Sequence, residues 1–336
     1  MHLLLIPLLR ILSDGKFHAG SELAQNLGVS RATVSNALKT ADTLSVSVFK
    51  VRGRGYQLPH PPEWLDAEAV RQQLGLLAQD VRLEVVDTIG STNSTLLRES
   101  TTHCHCLAAE YQYAGRGRRG RQWFAALGGS LSFSMRWRFN QGMGALAGLS
   151  LAVGVAVLRT LHQFDLTEVR LKWPNDLLWR EKKLAGILIE AQGDANDSSI
   201  AVIGIGINLH IPNETRERID QPMTDLQEIA GHTLPRNMLL GTLIQQLVLA
   251  LQEFEAHGLV HLSQEWNAAH AYSGQPLCVT LANGDALNGS AEGINHQGEL
   301  LLKLANGKVI AIHSGEVQLA RPSYQDFSGD LHAAGA

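Results

Sequence analysis

The chain has 336 residues, which allows two or three domains with ample length for a buried core. Its 28 Lys and Arg stand against 32 Asp and Glu, a net charge of -4 that excludes a protein coating nucleic acid over its whole surface. Three cysteines, an odd number, exclude a disulfide framework and fit a reduced, cytoplasmic setting. The charge is unevenly placed. Residues 1–60 hold Arg10, Lys16, Arg31, Lys39, Lys50, Arg52 and Arg54 against Asp14, Glu22 and Asp42, a net of +4, so the remainder carries -8. A basic head on an acidic body predicts different partners for the two parts.

Met1 to Leu12 is apolar, but it lacks a basic leading region, carries Pro7 and shows no small-residue cleavage site. It reads as the first helix of a small domain. Ser21 to Leu27 is a capped amphipathic helix, Gly28 permits a tight turn, and Ser30 caps a second helix reaching about Leu44. Ala24, Gly28 and Val34 suit a helix-turn-helix: a small contact residue, a turn glycine and an apolar anchor. Arg31, Thr33, Ser35, Asn36 and Lys39 supply polar and basic groups for a major groove. Val46 to Leu58 then reads strand, turn, strand, with Arg52 and Arg54 on a basic wing tip. A helix-turn-helix used only for protein contacts is the alternative, and the basic helix and wing argue against it.

Pro59-His60-Pro61-Pro62 is a stiff break between domains, and Glu63 to Gln79 follows as a short helix. Leu83 to Thr88 reads as a strand leading to Ser91-Thr92-Asn93, a trio that suits either a helix cap or a polar binding surface. His103-Cys104-His105-Cys106 suggests a metal, but alternate residues of a strand point to opposite faces, so the four side chains cannot converge on one ion. Leu107 to Tyr113 is a strand that delivers Gln112 and then Gly115-Arg116-Gly117-Arg118-Arg119-Gly120-Arg121.

That stretch places four arginines in seven residues, with glycine at the other three. Glycine lets a backbone approach a ligand closely, and the arginine fork fits carboxylate or phosphate oxygens. A basic patch for nucleic acid, a dinucleotide fingerprint and a clamp over a small anion compete. The fingerprint needs a following helix, whereas Gly128 to Met135 reads as turn then strand. Trp123 and Phe124 add an aromatic wall.

Ala145 to Phe164 reads as a buried helix, and the apolar run from Met143 to Leu158 is shorter than the ~20 residues a membrane span needs. Lys172-Trp173-Pro174-Asn175-Asp176 groups an ammonium, an aromatic face, an amide and a carboxylate suited to Mg²⁺; a polar turn with a core tryptophan is the plainer reading. Leu184 to Glu190 and Ser199 to Leu209 are strands, the latter with Gly204, Gly206 and Asn208. Asn237 to His257 is core helix, its leucines recurring at helical spacing. From Gly274 to Leu319, short strands alternate with Asn-Gly and similar turns, a small antiparallel barrel or sandwich, and the tail from Pro322 is loose.

Taken together, the Ser91 trio, Gln112 with the arginine loop and Trp123, Lys172 to Asp176, Lys183 to Gly186 and Gly204 to Asn208 resemble the bifunctional biotin–protein ligase and biotin operon repressor family. The resemblance covers residues 1 to about 320. It implies an α/β (α+β) multidomain fold: a winged helix-turn-helix at 1–60, a linker and short helix at 61–80, a catalytic domain at 81–270 with a class II synthetase-like mixed sheet, an SH3-like barrel at 271–320, and a loose tail at 321–336.

It also implies ATP and biotin as substrates, with Mg²⁺ on Asp176 and no structural metal. Ser91, Thr92, Asn93 and Gln112 would hold the ureido ring. Arg116, Gly117, Arg118, Lys183 and Gly186 would surround the biotin carboxylate and activated phosphate. Arg121, Trp123, Lys172, Asn175 and Asn208 would lie toward ATP. Arg118, Lys183 and Asp176 would be catalytic, Asp176 orienting or deprotonating the attacking lysine or else only holding Mg²⁺. Biotinyl-5′-AMP would form and pass its biotin to a lysine of a biotin carboxyl carrier protein. The head would bind operator DNA of biotin-synthesis genes as a homodimer of the adenylate-bound chain. A ligase with a silent head, a lipoate-type ligase and a ligand-sensing transcription factor without ligase activity are the rivals.

Overall fold

The computed structural model describes residues 3–100, 104–194 and 197–320; His103 and the tail from 321 lie outside the described residues. The head consists of α1 (Leu5–Ile11), α2 (Gly20–Asn26), α3 (Arg31–Leu38) and a hairpin of β1 (Phe49–Val51) and β2 (Gly55–Gln57). Leu5, Leu8, Leu9 and Leu12 pack on Leu23, Val34 and Leu38 in its own core. Gly28, at φ +63, makes the turn between α2 and α3 in a region that a Cβ would strain. Ser30 caps α3 by accepting from the Thr33 N–H at 3.1 Å. The helix expected to reach Leu44 breaks after Leu38. Thr40 Oγ1 donates to the Ala37 carbonyl at 2.7 Å, and a separate turn over Ala41–Leu44 follows.

The body begins with α4 (Ala67–Leu74), shorter than expected and capped by Asp66. Then come β3 (Arg82–Ile89), α5 (Thr92–Leu96), β4 (Cys104–Gln112), β5 (Ser130–Phe139), α6 (Leu149–His162), β6 (Arg170–Lys172), β7 (Asp176–Trp179), β8 (Lys182–Gly193) and β9 (Ser199–Asn208). The strands form one sheet in the order β3-β4-β5-β9-β8-β7-β6. Only β3 and β4 run parallel, so the sheet is mixed as expected. Helix α6 starts four residues later than the sequence suggested. Gly148 precedes it at φ +80, and a Cβ there would fall 2.2 Å from Leu259 Cδ1. Four helices follow, α7 (Asn213–Arg216), α8 (Leu226–Ala230), α9 (Arg236–His257) and α10 (Leu262–Ala268), of which α9 and α10 pack on α6.

Strand periodicity decides which face carries function. Ala201, Ile203, Ile205 and Ile207 of β9 join the core with α6 and α9. Val202, Gly204, Gly206 and Asn208 face the other way, toward α5. The last unit is five antiparallel strands, β10 (Pro276–Thr280), β11 (Ala286–Ile294), β12 (Leu300–Lys303), β13 (Val309–Ile312) and β14 (Glu316–Leu319). Their order is β13-β12-β11-β10-β14. Leu277, Val279, Leu300, Leu302 and Val317 share the body's core rather than forming a separate one.

The segment between head and body is held from below. Glu110 and Arg236 form a buried ion pair at 2.9 Å, with side chains 0% and 3% exposed. Glu110 Oε1 also accepts from the Leu65 N–H at 2.5 Å, and Arg236 donates to the Glu63 carbonyl. Replacing Glu110 by leucine would leave a buried guanidinium without its carboxylate. We expect Glu110→Leu to lower the unfolding free energy by about 3–5 kcal/mol in urea denaturation, and Glu110→Leu with Arg236→Met to recover much of it.

Candidate active site

A cleft of about 850 Å³ opens on the sheet face away from α6 and α9. Three floor positions have no side chain, and each absence admits another residue. A Cβ at Gly204 would lie 2.2 Å from Asn93 Oδ1, and one at Gly206 would lie 2.3 Å from Trp123 Cε2. Gly186 faces Gly206 across the β8–β9 ladder, with Lys183 Cε 3.2 Å from where its Cβ would stand. Asn93 and the Trp123 indole therefore lie directly on the backbone of the sheet.

One end of the cleft is a buried polar chain. Gln112 Oε1 accepts from the Thr92 N–H at 2.7 Å and lies 3.1 Å from Thr92 Oγ1, whose one proton serves either it or Ser134. Thr92 Oγ1 and Ser134 Oγ are 2.6 Å apart, and Ser134 Oγ donates to Asn93 Oδ1 at 2.6 Å. Asn93 Nδ2 donates to the Leu188 carbonyl at 3.2 Å and to Glu190 Oε2 at 3.0 Å. With its oxygen engaged, Gln112 keeps its Nε2 hydrogens as donors. Ser91 accepts from the Ser94 N–H at 3.4 Å as the cap of α5, so the trio both starts a helix and lines the cleft.

The arginine loop is folded as a narrow hairpin. Gly117 N–H donates to the Arg121 carbonyl at 2.7 Å and Trp123 N–H to the Gly115 carbonyl at 3.0 Å; Arg119 and Gly120 turn at positive φ. No helix follows it, in keeping with the discounted fingerprint. The four arginines leave in three directions. Arg116 meets Glu190 at 2.5 Å, Arg118 donates to Asn175 Oδ1 at 2.8 Å, and Arg121 Nη2 donates to both Glu316 carboxylate oxygens at 2.7 and 2.8 Å, with Arg119 at 3.4 Å. Burial, and then Arg119, push the Arg118 proton affinity down, but a guanidinium stays charged. Lys183 Nζ stands 2.7 Å from Asp176 Oδ1, in contact but poorly aligned for a hydrogen bond. Burial lowers the pKa of Lys172 in the same wall, opposed by Asp176.

Asn208, expected toward ATP, and Trp173, for which two readings stood, spend their polar atoms on backbone carbonyls. Asn208 is 4% exposed and spends its amide on the Thr224 and Lys183 carbonyls at 3.0 and 3.4 Å. It borders a smaller recess behind Trp123 rather than the main cleft. Trp173 is 2% exposed, and its indole N–H donates to the Gly298 carbonyl at 3.0 Å. The core tryptophan is the reading that holds for it.

Sequence reasoning missed four contributors. Ser134 is on the same face of β5 as Ser130 and Ser132, and small polar residues at alternate positions of a buried strand are a readable signal. Glu190 follows Gly186 and Leu188 at the same spacing on β8. Glu316, far along the chain, gave no local signal. Neither did the stretch Arg218 to Pro222 that forms the far wall, with Arg218 5.1 Å above the Phe124 ring.

In the head, Arg31, Asn36, Lys39, Arg52 and Arg54 are exposed and Thr33 and Ser35 half-buried. The Arg54 guanidinium stacks 4.1 Å over Phe17. Cys104 and Cys106 face the core, whereas His105 pairs with Glu99 on the other side. Among the described residues no three His, Cys, Asp or Glu side chains gather as a metal would require. No described helix is long and apolar enough to cross a membrane.

This geometry has relatives. The family model described as "HTH domain" matches residues 5–57, that of the "Biotin/lipoate A/B protein ligase family" matches 86–208, and that of the "Biotin protein ligase C terminal domain" matches 272–320. The bifunctional ligase/repressor BirA of Salmonella typhimurium is 40% identical over 317 residues, 94% of this chain and 97% of that protein. The biotin–[acetyl-CoA-carboxylase] ligase of Mycobacterium tuberculosis is 32% identical over 266 residues, covering 76% of this chain and 96% of that one. The solved Aquifex aeolicus biotin protein ligase in complex with biotin and ATP is 28% identical, with a TM-score of 0.60 over 71% of this chain and 99% of that one. With a helix-turn-helix head, a mixed-sheet cleft and a C-terminal strand unit in this order, the chain belongs to the biotin/lipoate protein ligase family, among its bifunctional ligase/repressors.

Proposed function

We propose that the cleft joins biotin to ATP as biotinyl-5′-AMP and passes the biotin to a lysine of a carboxyl carrier protein. We propose further that the head binds operator DNA of biotin-synthesis genes when the cleft is filled. The supporting observation is the gathering, in one cleft, of a donor-and-acceptor floor, seven cationic side chains and an aromatic face. Thr92, Asn93 and Gln112, with Ser91, suit a fused ring bearing a ureido group. Gln112 Nε2 would donate to its carbonyl, and the Thr92–Ser134–Asn93 chain would hold that surface rigid.

A biotin carboxylate oxygen attacks the α-phosphorus of ATP, and the bond to the bridging oxygen of pyrophosphate breaks. Two anions must approach, so Arg116, Arg118 and Lys183 offset their repulsion and stabilise the added negative charge at phosphorus. Gly117 and Gly186 keep backbone close to the reacting atoms, and Trp123 lies flat where an adenine can stack. Arg121, Lys172 and Asn175 stand toward the phosphates. Asn208 acts from behind, tying the Lys183 carbonyl to the end of β9. Mg²⁺ fits this donor set: Asp176 offers a carboxylate oxygen in the cleft, magnesium needs only one or two beside phosphate oxygens, and the ion would neutralise phosphate charge.

In the second step the neutral carrier lysine attacks the acyl carbon, the carbon–oxygen bond of the anhydride breaks, and AMP leaves. Asp176 would orient the amine or take its proton where it does not serve only to hold Mg²⁺. In the head, Arg31, Thr33, Ser35, Asn36 and Lys39 would enter the major groove, with Arg52 and Arg54 on phosphates. Pairing of two adenylate-loaded chains would match a two-fold operator.

The deciding assay mixes the protein with biotin, MgATP and a carrier domain and reads acceptor mass; no biotinyl gain on folded protein would end the enzyme reading. Arg118→Gly should speed release of biotinyl-5′-AMP about 10–100-fold, the equivalent of a charge-assisted hydrogen bond of about 1.5–3 kcal/mol, with little change in thermal midpoint. An unchanged off-rate would count against its role. Gly206→Val should displace Trp123 and raise the KM for ATP more than that for biotin in steady-state assays. For the head, operator affinity should rise when biotin and ATP are both present; equal affinity without them would leave the ligase alone.

A further inference from the structure

Glu190 is a charged side chain at the acyl end of the cleft that the two chemical steps do not use. On β8 it continues the row of Gly186 and Leu188, one strand step beyond the cleft floor. Its Oε2 receives two donors at once: Arg116 Nη2 at 2.5 Å and Asn93 Nδ2 at 3.0 Å. The two partners differ in what fixes them. Asn93 is 3% exposed and is also held by the Leu188 carbonyl and Ser134. The Arg116 side chain is 42% exposed, and Glu190 is the only hydrogen-bond acceptor it meets among the described residues.

A carboxylate already rests on the guanidinium that the proposed function assigns to the biotin carboxylate. Its geometry is that of an internal stand-in. A half-exposed ion pair is worth at most about 1 kcal/mol, so an incoming carboxylate can displace it at small cost. A ligand with a neutral tail gains nothing by the exchange.

We propose that Glu190 is a specificity-determining residue of the acyl end: it holds Arg116 in the empty cleft and surrenders it only to a ligand bearing a carboxylate. Because only the acid has to displace it, Glu190 thereby limits how strongly the cleft prefers the free acid over a neutral analogue. The inference rests on the biotin-ligase reading of the cleft.

The test is calorimetric titration of the full chain with biotin and with biotinamide, its neutral counterpart. Glu190→Gln keeps an oxygen for the Asn93 amide and removes the charge. It should tighten biotin about three- to fivefold, the release of about 1 kcal/mol, and leave biotinamide within about twofold. Glu190→Asp retains the charge and should keep a biotin-to-biotinamide ratio near that of the unaltered protein. An equal change for both ligands in Glu190→Gln would reduce Glu190 to a support for Asn93 and overturn the proposal. So would an unchanged ratio, or the same ratio shift in Glu190→Asp. If the unaltered protein binds neither ligand, the biotin reading fails together with this inference. If it binds both and only the variants fail to discriminate, the biotin reading stands and this inference falls.

Discussion

The site depends on a patch of sheet without side chains. Gly186 and Gly206 pair directly, and Gly204 pairs with Leu188 one step along. A sheet normally presents a row of side chains about every other residue, which would hold any ligand away from the backbone. Here Asn93 and the Trp123 indole occupy the space those side chains would fill. One contributes hydrogen bonds and the other a flat apolar face, so the two ends of the cleft differ in chemistry while sharing one floor. The opposite faces of the same strands carry alanine and isoleucine (Ala185, Ile187, Ala201, Ile203, Ile205 and Ile207) in the core with α6 and α9, which makes the floor rigid.

Charge is the second organising element. A loop with four arginines would repel itself and spread if its cations had no partners. The fold gives them separate outlets: Glu190 on β8, Asn175 before β7 and Glu316 on β14. The hairpin is thus pinned from three directions, one of them the C-terminal strand unit. That unit shares the body's core and supplies part of the cleft wall through Gly315 to Gln318. It is part of the site and not an appendage.

The head touches the body at points next to the cleft walls. Leu127, just beyond Trp123 and Phe124, is buried in the head's core with Leu58 and beside Trp64 and Tyr111. Ser45 and Thr215 hydroxyls lie 2.7 Å apart, joining the head to the segment that leads into Arg218 and Ile219. Arg10 pairs with Asp87 at 2.7 Å on the strand that ends at the Ser91 trio. These contacts give a DNA-binding head a physical connection to both sides of a ligand cleft, the arrangement that ligand-dependent repression requires.

Local patterns carried much of this in the sequence. Glycine spacing, apolar periodicity and concentrated arginine identified the head, the long core helix, the strands and the loop, because each is written within about a dozen residues. Residues 91–93, 112, 116–119, 121–123 and 172–176, with Lys183 and Gly186, meet around one cleft. Helix limits were less legible: α3 ends at Leu38 because Thr40 turns back on Ala37, a competition that propensity does not show. Asn208 looked like a site residue and Trp173 had two readings, yet their polar atoms are spent on Thr224 and Lys183 and on Gly298, partners set by packing. Glu190, Ser134, Glu316 and the wall at Arg218 could be assigned only once the strands were paired. The sequence alone determined which chemical groups exist and on which local element each sits. Which cation meets which carboxylate depends on strand register and on contacts between residues up to 195 positions apart, and those distances exist only after the chain has folded.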